Sequence, residues 1–358
     1  MLSRCRVLNA KERTWSKLSH RLYSTSLNLG PNYEISQEIK TRGPWVMTQD
    51  ISPTEIRKLD ATLGSHIPIQ GSSQSSFAVP PGYHLIFFND ISQEAELSPD
   101  GYHKSQAPDA TLFPARMWLK GSIEFNHSVS PLITTTVASA IEQISKVDYK
   151  AKFTDPNDPL SHCSERIDVS MDRYLYSSSV ADLNPHDVIS SVPWVIKEKR
   201  SLAYFSPPPV STASSREHTF TRIITPRYKT EPTYSHTFTP TNVTLFRYSA
   251  LTFNSHRIHY DPLYASQVEG LPDCVVHGPF TVSLALAWIY NSVLPQMSKT
   301  LGKDLKIKRY SYRSLLPLFV NEKITVHAMP LNDKTNTFDL WMQNHRGSQC
   351  TSGTIEIE

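Results

Sequence analysis

The apolar segment 280–293 limits the possible folds of this chain more than any other part of the sequence. Its large apolar side chains fall on every face of a helix, so a helix here has to be buried all round. Pro279 suits the first position of that helix and Gly278 suits its N-cap. The segment is shorter than the ~20 apolar residues that a membrane span needs. We therefore expect a core helix enclosed by other elements of the same fold.

Strands are predicted on both sides of this helix. After it, β-rich segments at 305–312, 323–329, 337–342 and 350–357 are broken by turns containing Asn, Asp and Gly. Before it, similar segments occur at 83–88, 121–126 and 194–204, together with a short predicted helix at 54–63. Segment 134–146 is ambiguous, because 134–137 favours a strand and 138–146 favours a helix. The pattern alone predicts an α+β fold.

Length and composition predict two halves. At 358 residues the chain is long enough for two cores, and its 39% apolar and 19% charged residues are typical of a globular protein. Segments 71–81 and 206–240 are rich in Pro, Ser and Thr. We predict that 206–240 is a linker between an N-terminal half, 30–205, and a C-terminal half, 241–358.

The N-terminal sequence predicts targeting to the mitochondrion. The first 30 residues contain six Lys and Arg residues against one acid, Glu12, which is typical of a transit peptide. We predict a transit peptide at 1–23 and a mitochondrial matrix protein; a basic tail without a targeting role is the alternative. Without these 30 residues, 30 basic and 32 acidic residues remain, so the overall charge of +3 gives no argument for nucleic-acid binding.

The four cysteines predict neither a disulfide framework nor a zinc site. Cys5, Cys163, Cys274 and Cys350 form no CxxC pair, and Cys5 lies in the predicted transit peptide. Cys274 is close to the candidate site, where we expect a small buried residue and not a nucleophile. No cofactor is predicted.

The candidate site lies in the polar segment 254–261, just before the core helix. His259 is the side chain best suited to proton transfer near neutral pH. Asn254 or Asp261 is expected to orient it. The free N–H groups around Gly278, at the positive end of the helix dipole, can stabilise a carbonyl oxygen that gains negative charge.

Two other interpretations of this segment stay open. A single histidine is more often a structural residue than a catalyst. The spacing of His256, His259 and Asp261 also resembles a metal site, but three residues without a fourth ligand are weak support for one.

The same residues resemble a known family. Segments 249–254, 256–262 and 276–279 are similar to the hydratase 2 motif of MaoC-like dehydratases. They are more similar to the fungal mitochondrial 3-hydroxyacyl-thioester dehydratases type 2 and to bacterial mesaconyl-C4-CoA hydratases. The wider family has Gly-Asp-x-Asn-Pro-x-His, and here His259 falls on its histidine while Asn254 falls on its aspartate. Further similar segments, which extend the resemblance to about two thirds of the chain, are 80–88, 101–102, 116–118, 121–125, 312–318 and 353–357.

The resemblance implies a double hotdog fold, with two halves that are each a helix wrapped by an antiparallel sheet. The first half is expected to be degenerate, to lack a catalytic loop, and to have a strand in the ambiguous segment 134–146. Two such halves in one chain can act as a self-sufficient unit, and a homodimer is equally compatible with the sequence.

The resemblance also implies an activity and the residues that carry it. It predicts dehydration of (3R)-3-hydroxyacyl thioesters, on acyl carrier protein or CoA, in mitochondrial type II fatty acid synthesis. His259 and Asn254 are the expected catalytic residues and Gly278 the oxyanion donor, while Arg257, Tyr260 and Phe253 are candidates for substrate binding. Asn254 departs from the family pattern, because a carboxamide cannot transfer a proton as a carboxylate does.

Two other functions remain as alternatives. One is a hydratase for short dicarboxylic acyl-CoA, which needs a cation such as Arg257 or Arg313 in the pocket. The other is a catalytically silent hotdog protein that binds acyl thioesters as a scaffold.

Overall fold

A computed structural model describes residues 30–69, 78–155, 163–207, 220–228, 230–331 and 336–358. The transit peptide predicted at 1–23 lies outside these residues, as do most of segment 71–81 and part of segment 206–240. Within the described part of the chain, no helix is long and apolar enough to cross a membrane.

Among the described residues, ten antiparallel strands form one sheet. They are β1 (Trp45–Asp50), β2 (Ala115–Phe125), β3 (Val137–Phe153), β4 (Cys163–Tyr176), β5 (Ile196–Phe205), β6 (Tyr234–Phe238), β7 (Ile307–Ser314), β8 (Ile324–Pro330), β9 (Thr337–Gln343) and β10 (Gln349–Ile357). Their order is β1-β3-β4-β5-β2-β7-β10-β9-β8-β6. From its outer edge inward, the N-terminal half has the order β1, β3, β4, β5 and β2, and the C-terminal half has the order β6, β8, β9, β10 and β7. The two five-stranded halves therefore have the same topology.

The two halves of the sheet join through β2 and β7. In the register of these two strands, Lys120 lies opposite Arg313 at one end and Glu124 lies opposite Arg309 at the other. One hydrophobic cluster also runs through both halves, from Leu59 to Phe280 and Ile355. The halves therefore share a sheet and a core.

In the described part of the chain, the sheet is accompanied by six α-helices: α1 (Tyr33–Ile39), α2 (Pro53–Leu63), α3 (Pro185–Ser191), α4 (Asn242–Leu251), α5 (Gly278–Trp288) and α6 (Leu294–Leu301). All residues of α5 from Phe280 onward are buried. A π-helical turn, Ile289–Val293, joins α5 to α6 without a break. Pro295 follows at the start of α6, where its missing N–H fits a widened turn.

Most of the predicted elements are confirmed. The buried helix is α5, the short helix at 54–63 is α2, and the four strands after α5 occur within a few residues of their predicted bounds. The ambiguous segment 134–146 lies mostly in strand β3, as the resemblance implied. The helix begins at Gly278 itself, with His277 as its N-cap, one residue earlier than predicted.

Two predictions about elements are corrected, and one helix was missed. Segment 83–88 is not a strand: Tyr83–Ile86 is a 3-10 turn, because Gly82 has φ 88° and its carbonyl accepts a hydrogen bond from Ser283 Oγ of α5 at 3.0 Å. Helix α4 was not predicted. Part of the predicted linker, Tyr234–Phe238, is strand β6, which pairs with β8.

Candidate active site

A cavity of about 1640 Å³ lies between the two halves of the chain. One wall consists of residues from β2, β4 and β5, including Trp118, Arg173 and Leu202. The other wall contains the segment 252–261, here called the catalytic loop, and the N-terminus of α5. All six residues predicted for the site line this cavity: His259, Asn254, Gly278, Arg257, Tyr260 and Phe253.

The end of helix α4 sets the path of the catalytic loop. Thr252 caps the helix through its hydroxyl, which donates to the Tyr248 carbonyl at 2.7 Å, and Phe253 then has a φ of 51°. The Asn254 N–H donates to the Ser249 carbonyl at 2.9 Å. This reversal turns Asn254 and the residues after it toward the cavity.

His259 is held by a main-chain carbonyl. Its Nδ1 lies 2.7 Å from the Val275 oxygen, and since a carbonyl only accepts, Nδ1 carries the proton. Nε2 therefore holds the lone pair and is the nitrogen that can act as a base. Burial lowers the pKa of His259 well below its usual range, and the neighbouring rings of His277 and His256 lower it further. The prediction that Asn254 or Asp261 orients His259 is wrong, because Asp261 pairs with Arg257 at 2.8 Å instead.

His277 stacks on His259. The two ring centroids are 3.7 Å apart with an angle of 21° between the planes. The Nε2 atom of His277 contacts Ser249 Oγ at 2.8 Å, and burial lowers the pKa of His277 to about 3. A neutral, fully buried ring thus fixes the plane of the candidate base.

His256 is the third histidine of the site. Its ring meets that of His259 edge-on at 5.4 Å, and its Nε2 lies 3.3 Å from Asp100 Oδ2. Asp100 also forms an ion pair with Arg116, whose guanidinium lies 4.0 Å above the Tyr102 ring. Burial, followed by the charge of Arg116, lowers the pKa of His256 well below its usual range.

Asn254 has only part of its hydrogen-bonding capacity free. Its Oδ1 accepts the N–H of His256 at 3.0 Å. Because the oxygen is engaged in this turn, the amide nitrogen is the group best able to meet a ligand, and it acts only as a donor.

The N-terminus of α5 also borders the cavity at Gly278. Intrahelical bonding starts with Thr281, whose N–H donates to the His277 carbonyl at 3.2 Å. The N–H groups before Thr281 precede that ladder and mark the positive end of the helix dipole. A Cβ at position 278 would lie 3.0 Å from the Trp118 ring, so a glycine allows the helix to approach β2 closely.

The remaining predicted residues form the rim of the cavity. Phe253 and Tyr260 are exposed although they line it. Arg257 is partly exposed and forms an ion pair with Asp261. Its guanidinium stacks over Tyr264, 4.2 Å from the ring centroid. Its guanidinium is therefore already neutralised by a carboxylate.

The residues proposed as metal ligands are not grouped as a metal site. Among the described residues, no three or more His, Cys, Asp or Glu side chains are placed to hold a metal ion. Asp261 points its carboxylate to Arg257 and to the Tyr264 N–H. Cys274 is fully buried, and burial raises the pKa of its thiol to about 11, as suits a structural residue.

Sequence reasoning missed several residues of the site. His277 and Arg116 belong to segments that resemble the family, but nothing in the sequence gave either a role. His256 was considered only as a metal ligand. Asp100 carried no signal, because its contact with His256 joins two loops that are distant in the chain.

Comparison with known proteins identifies the family. Residues 82–320 match the model of the family described as hydroxyacyl-thioester dehydratase type 2. The chain belongs to this family. It is 31% identical over 288 residues to the hydroxyacyl-thioester dehydratase type 2, mitochondrial, of Schizosaccharomyces pombe, which covers 78% of this chain and 88% of the relative. It is 27% identical over 303 residues to the mesaconyl-C(4)-CoA hydratase of Chloroflexus aurantiacus, which covers 81% and 88%.

Solved structures show the same fold. A MaoC-like dehydratase superposes with a TM-score of 0.55 at 12% identity, covering 89% of this chain and 99% of that one. A MaoC-like dehydratase from Phytophthora capsici gives a TM-score of 0.51 at 13% identity, covering 90% and 97%. Together with the duplicated sheet topology, these likenesses confirm the double hotdog fold.

Proposed function

We propose that this protein dehydrates (3R)-3-hydroxyacyl thioesters to trans-2-enoyl thioesters and also catalyses the reverse hydration. Membership of the dehydratase family supports the reaction class. The observation that carries the assignment of residues is the bond between His259 Nδ1 and the Val275 carbonyl, which leaves Nε2 as an unprotonated base inside the cavity. We propose His259 and Asn254 as the catalytic residues and Gly278 as the oxyanion donor.

In the dehydration, His259 Nε2 takes a proton from the α-carbon. The electron pair of that C–H bond forms the double bond as the C–O bond at the β-carbon breaks. His259 then returns its proton to the leaving oxygen, which departs as water, so the base is regenerated. The low pKa of His259 keeps it unprotonated before each turnover.

The charge that develops on the thioester oxygen needs a donor. The N–H of Gly278, supported by the positive end of the α5 dipole, is suited to this role. Asn254 donates through its amide to the departing hydroxyl. Neither residue transfers a proton, so the proton path runs through His259 alone.

The cavity supports an extended thioester as substrate. Pockets for small molecules usually measure about 300–1,000 Å³, and this one is larger at about 1640 Å³. It can take a pantetheine arm together with an acyl chain. With the predicted transit peptide and the mitochondrial relatives, this supports a role in mitochondrial type II fatty acid synthesis with acyl carrier protein thioesters, with CoA thioesters as the second carrier class.

The dicarboxylic alternative has less support. The relative from Chloroflexus aurantiacus is named for a mesaconyl substrate, whose distal carboxylate needs a cation. Arg116, Arg173, Arg200 and Arg257 line the cavity, and each already contacts a carboxylate. Arg313, also considered for this role, is exposed on β7.

The test is turnover of a (3R)-3-hydroxyacyl thioester by the protein without residues 1–23, followed through the absorbance of the enoyl thioester. We expect His259→Ala to lose ~10²–10⁴-fold in rate while it stays folded, which is the usual cost of removing a positioned acid–base group. His186→Ala, on exposed helix α3, is the matched control and should keep full activity. Binding without turnover, on both carriers, would instead support the scaffold; undiminished activity of His259→Ala would remove His259 from the mechanism.

A further inference from the structure

The N-terminal half reaches the catalytic loop through residues 98–102. The Asp100 carbonyl accepts the Arg257 N–H at 2.9 Å, and the Gly101 carbonyl accepts the Ser255 hydroxyl at 2.7 Å. Gly101 has a φ of 81°, and a Cβ there would lie only 2.0 Å from the main-chain oxygen of Ser255. The N-terminal half thus holds the catalytic loop of the C-terminal half in place.

The carboxylate of Asp100 faces the same loop. It forms an ion pair with Arg116, and its Oδ1 accepts the Tyr102 N–H at 3.2 Å. These partners stabilise its ionised form, which can only accept hydrogen bonds. His256 Nε2 lies 3.3 Å from Oδ2, so the carboxylate favours the tautomer of that ring with its proton on Nε2. In the neutral ring Nδ1 then holds the lone pair.

The 3-hydroxyl of the proposed substrate needs both a donor and an acceptor. A hydroxyl group has one proton to donate and two lone pairs. Asn254 is suited to donate to such a hydroxyl, since its oxygen already accepts the His256 N–H. His259 Nε2 is reserved for the α-proton in the proposed reaction. The hydroxyl's own proton is thus left without an acceptor from these two side chains.

We propose that His256 binds the 3-hydroxyl of the substrate through Nδ1, and that Asp100 is a positioning residue that fixes this nitrogen as an acceptor. His256 and Asn254 then recognise the two sides of one hydroxyl group. His256 supplies the acceptor that the carboxamide of Asn254 does not. This inference rests on the proposed function, because the ligand is the substrate of that reaction.

In the reverse direction, the same pair binds the attacking water. His256 accepts one water proton and Asn254 donates to the oxygen, so that a lone pair is directed at the β-carbon. His256 and Asn254 gain and lose no proton over the cycle, because His259 receives the proton that the water gives up and delivers it to the α-carbon.

The test compares two ligands that differ by this hydroxyl. Calorimetric titration with (3R)-3-hydroxyhexanoyl-CoA and with hexanoyl-CoA is carried out on the full chain with His259→Ala, which prevents consumption of the first ligand. We expect this His259→Ala protein, which is the parent of the variants below, to prefer the hydroxylated ligand. His256→Phe keeps the ring packing but removes the acceptor, and it should lower the affinity for the hydroxylated ligand by roughly 5- to 10-fold, the factor that one hydrogen bond contributes. The affinity for hexanoyl-CoA should stay unchanged.

Asp100 is tested with its ion-pair partner, because a buried Arg116 without a carboxylate is costly. The double change Asp100→Asn and Arg116→Met should reduce the preference for the hydroxyl while hexanoyl-CoA still binds. The matched control is Asp90→Asn, which alters a carboxylate that lines the cavity but contacts Ser92, Ser105 and His103 and not His256. It should retain the preference.

Several outcomes would overturn the inference. A His256→Phe protein that still prefers the hydroxylated ligand shows that His256 does not bind it. An equal loss of affinity for both ligands shows that His256 only shapes the cavity. A parent without any preference, or one that binds neither thioester, also contradicts the inference. Turnover by the protein with His259 intact is measured separately, so a hydroxyl preference without turnover rejects the proposed function alone.

Discussion

Acid should destabilise this protein well above the pH at which its carboxylates become protonated. The rings of His84 and His277 are fully buried, and burial lowers the pKa of each to about 3. Neither nitrogen of His84 has a hydrogen-bond partner among the described residues, and Arg173 opposes its protonation. In the unfolded chain both histidines have ordinary pKa values near 6.5.

The sign follows from proton linkage. The folded pKa is below the unfolded one, so the stability contributed by each neutral ring is fully present above pH 6.5 and is lost as the pH falls toward 3. Since one pH unit corresponds to ~1.4 kcal/mol, each ring should cost about 2 kcal/mol of unfolding free energy at pH 5. The two together should cost about 4 kcal/mol. That is a large part of the ~5–15 kcal/mol by which a typical protein is stable.

The assay is urea unfolding at pH 7.5, 6.5, 5.5 and 5.0, with the free energy of unfolding extrapolated to water. His277→Asn should remove about 2 kcal/mol of the pH dependence, whereas His186→Gln, at an exposed site, should leave the dependence unchanged. His256 and His259 have pKa values lowered in the same direction and add to the slope. An unfolding free energy that stays constant from pH 7.5 to 5.0 would refute the reasoning.

Three further substitutions test the site through the enoyl absorbance. Asn254→Ala should slow turnover by about tenfold, near the worth of one hydrogen bond, and a loss equal to that of His259→Ala would show that Asn254 does more than donate one. Gly278→Ala brings a Cβ to 3.0 Å from Trp118, so overpacking should lower the unfolding free energy by about 1–3 kcal/mol and reduce kcat; unchanged melting and kcat would contradict this. Arg257→Ala should change KM for CoA thioesters and for pantetheine thioesters equally, because Asp261 already neutralises its guanidinium; a larger rise for CoA thioesters would contradict this and show that the guanidinium meets a CoA phosphate.

The duplication of the sheet is visible in the structure and not in the sequence. The two halves have the same strand order, yet no strong repeat is visible in the sequence. Many sequences satisfy the alternation of a strand, so topology can persist after sequence similarity is lost. The halves also differ in their helices, because the C-terminal half has α5 continued by α6 and the N-terminal half has the much shorter α2.

The sequence by itself determined features that depend on neighbouring residues, namely the core helix, its start and the polar loop of the site. The all-round apolar pattern specified α5, Gly278 and Pro279 placed its start to within one residue, and the polar loop with His259 marked the site. These features depend on residues close together in the chain, where helix periodicity and capping act. The strand predicted at 83–88 is wrong because the contact of Gly82 with α5 joins segments distant in the chain, which a local pattern does not capture.

Only the tertiary structure decided which groups surround the base. The partner of His259 Nδ1 is the Val275 carbonyl, and every residue has such a carbonyl, so no sequence pattern distinguishes this one. Asp100 reaches His256 because the two halves share one core and one sheet. Hydrogen bonds and burial act through space, and together they set which nitrogen carries the proton and how strongly each histidine resists protonation.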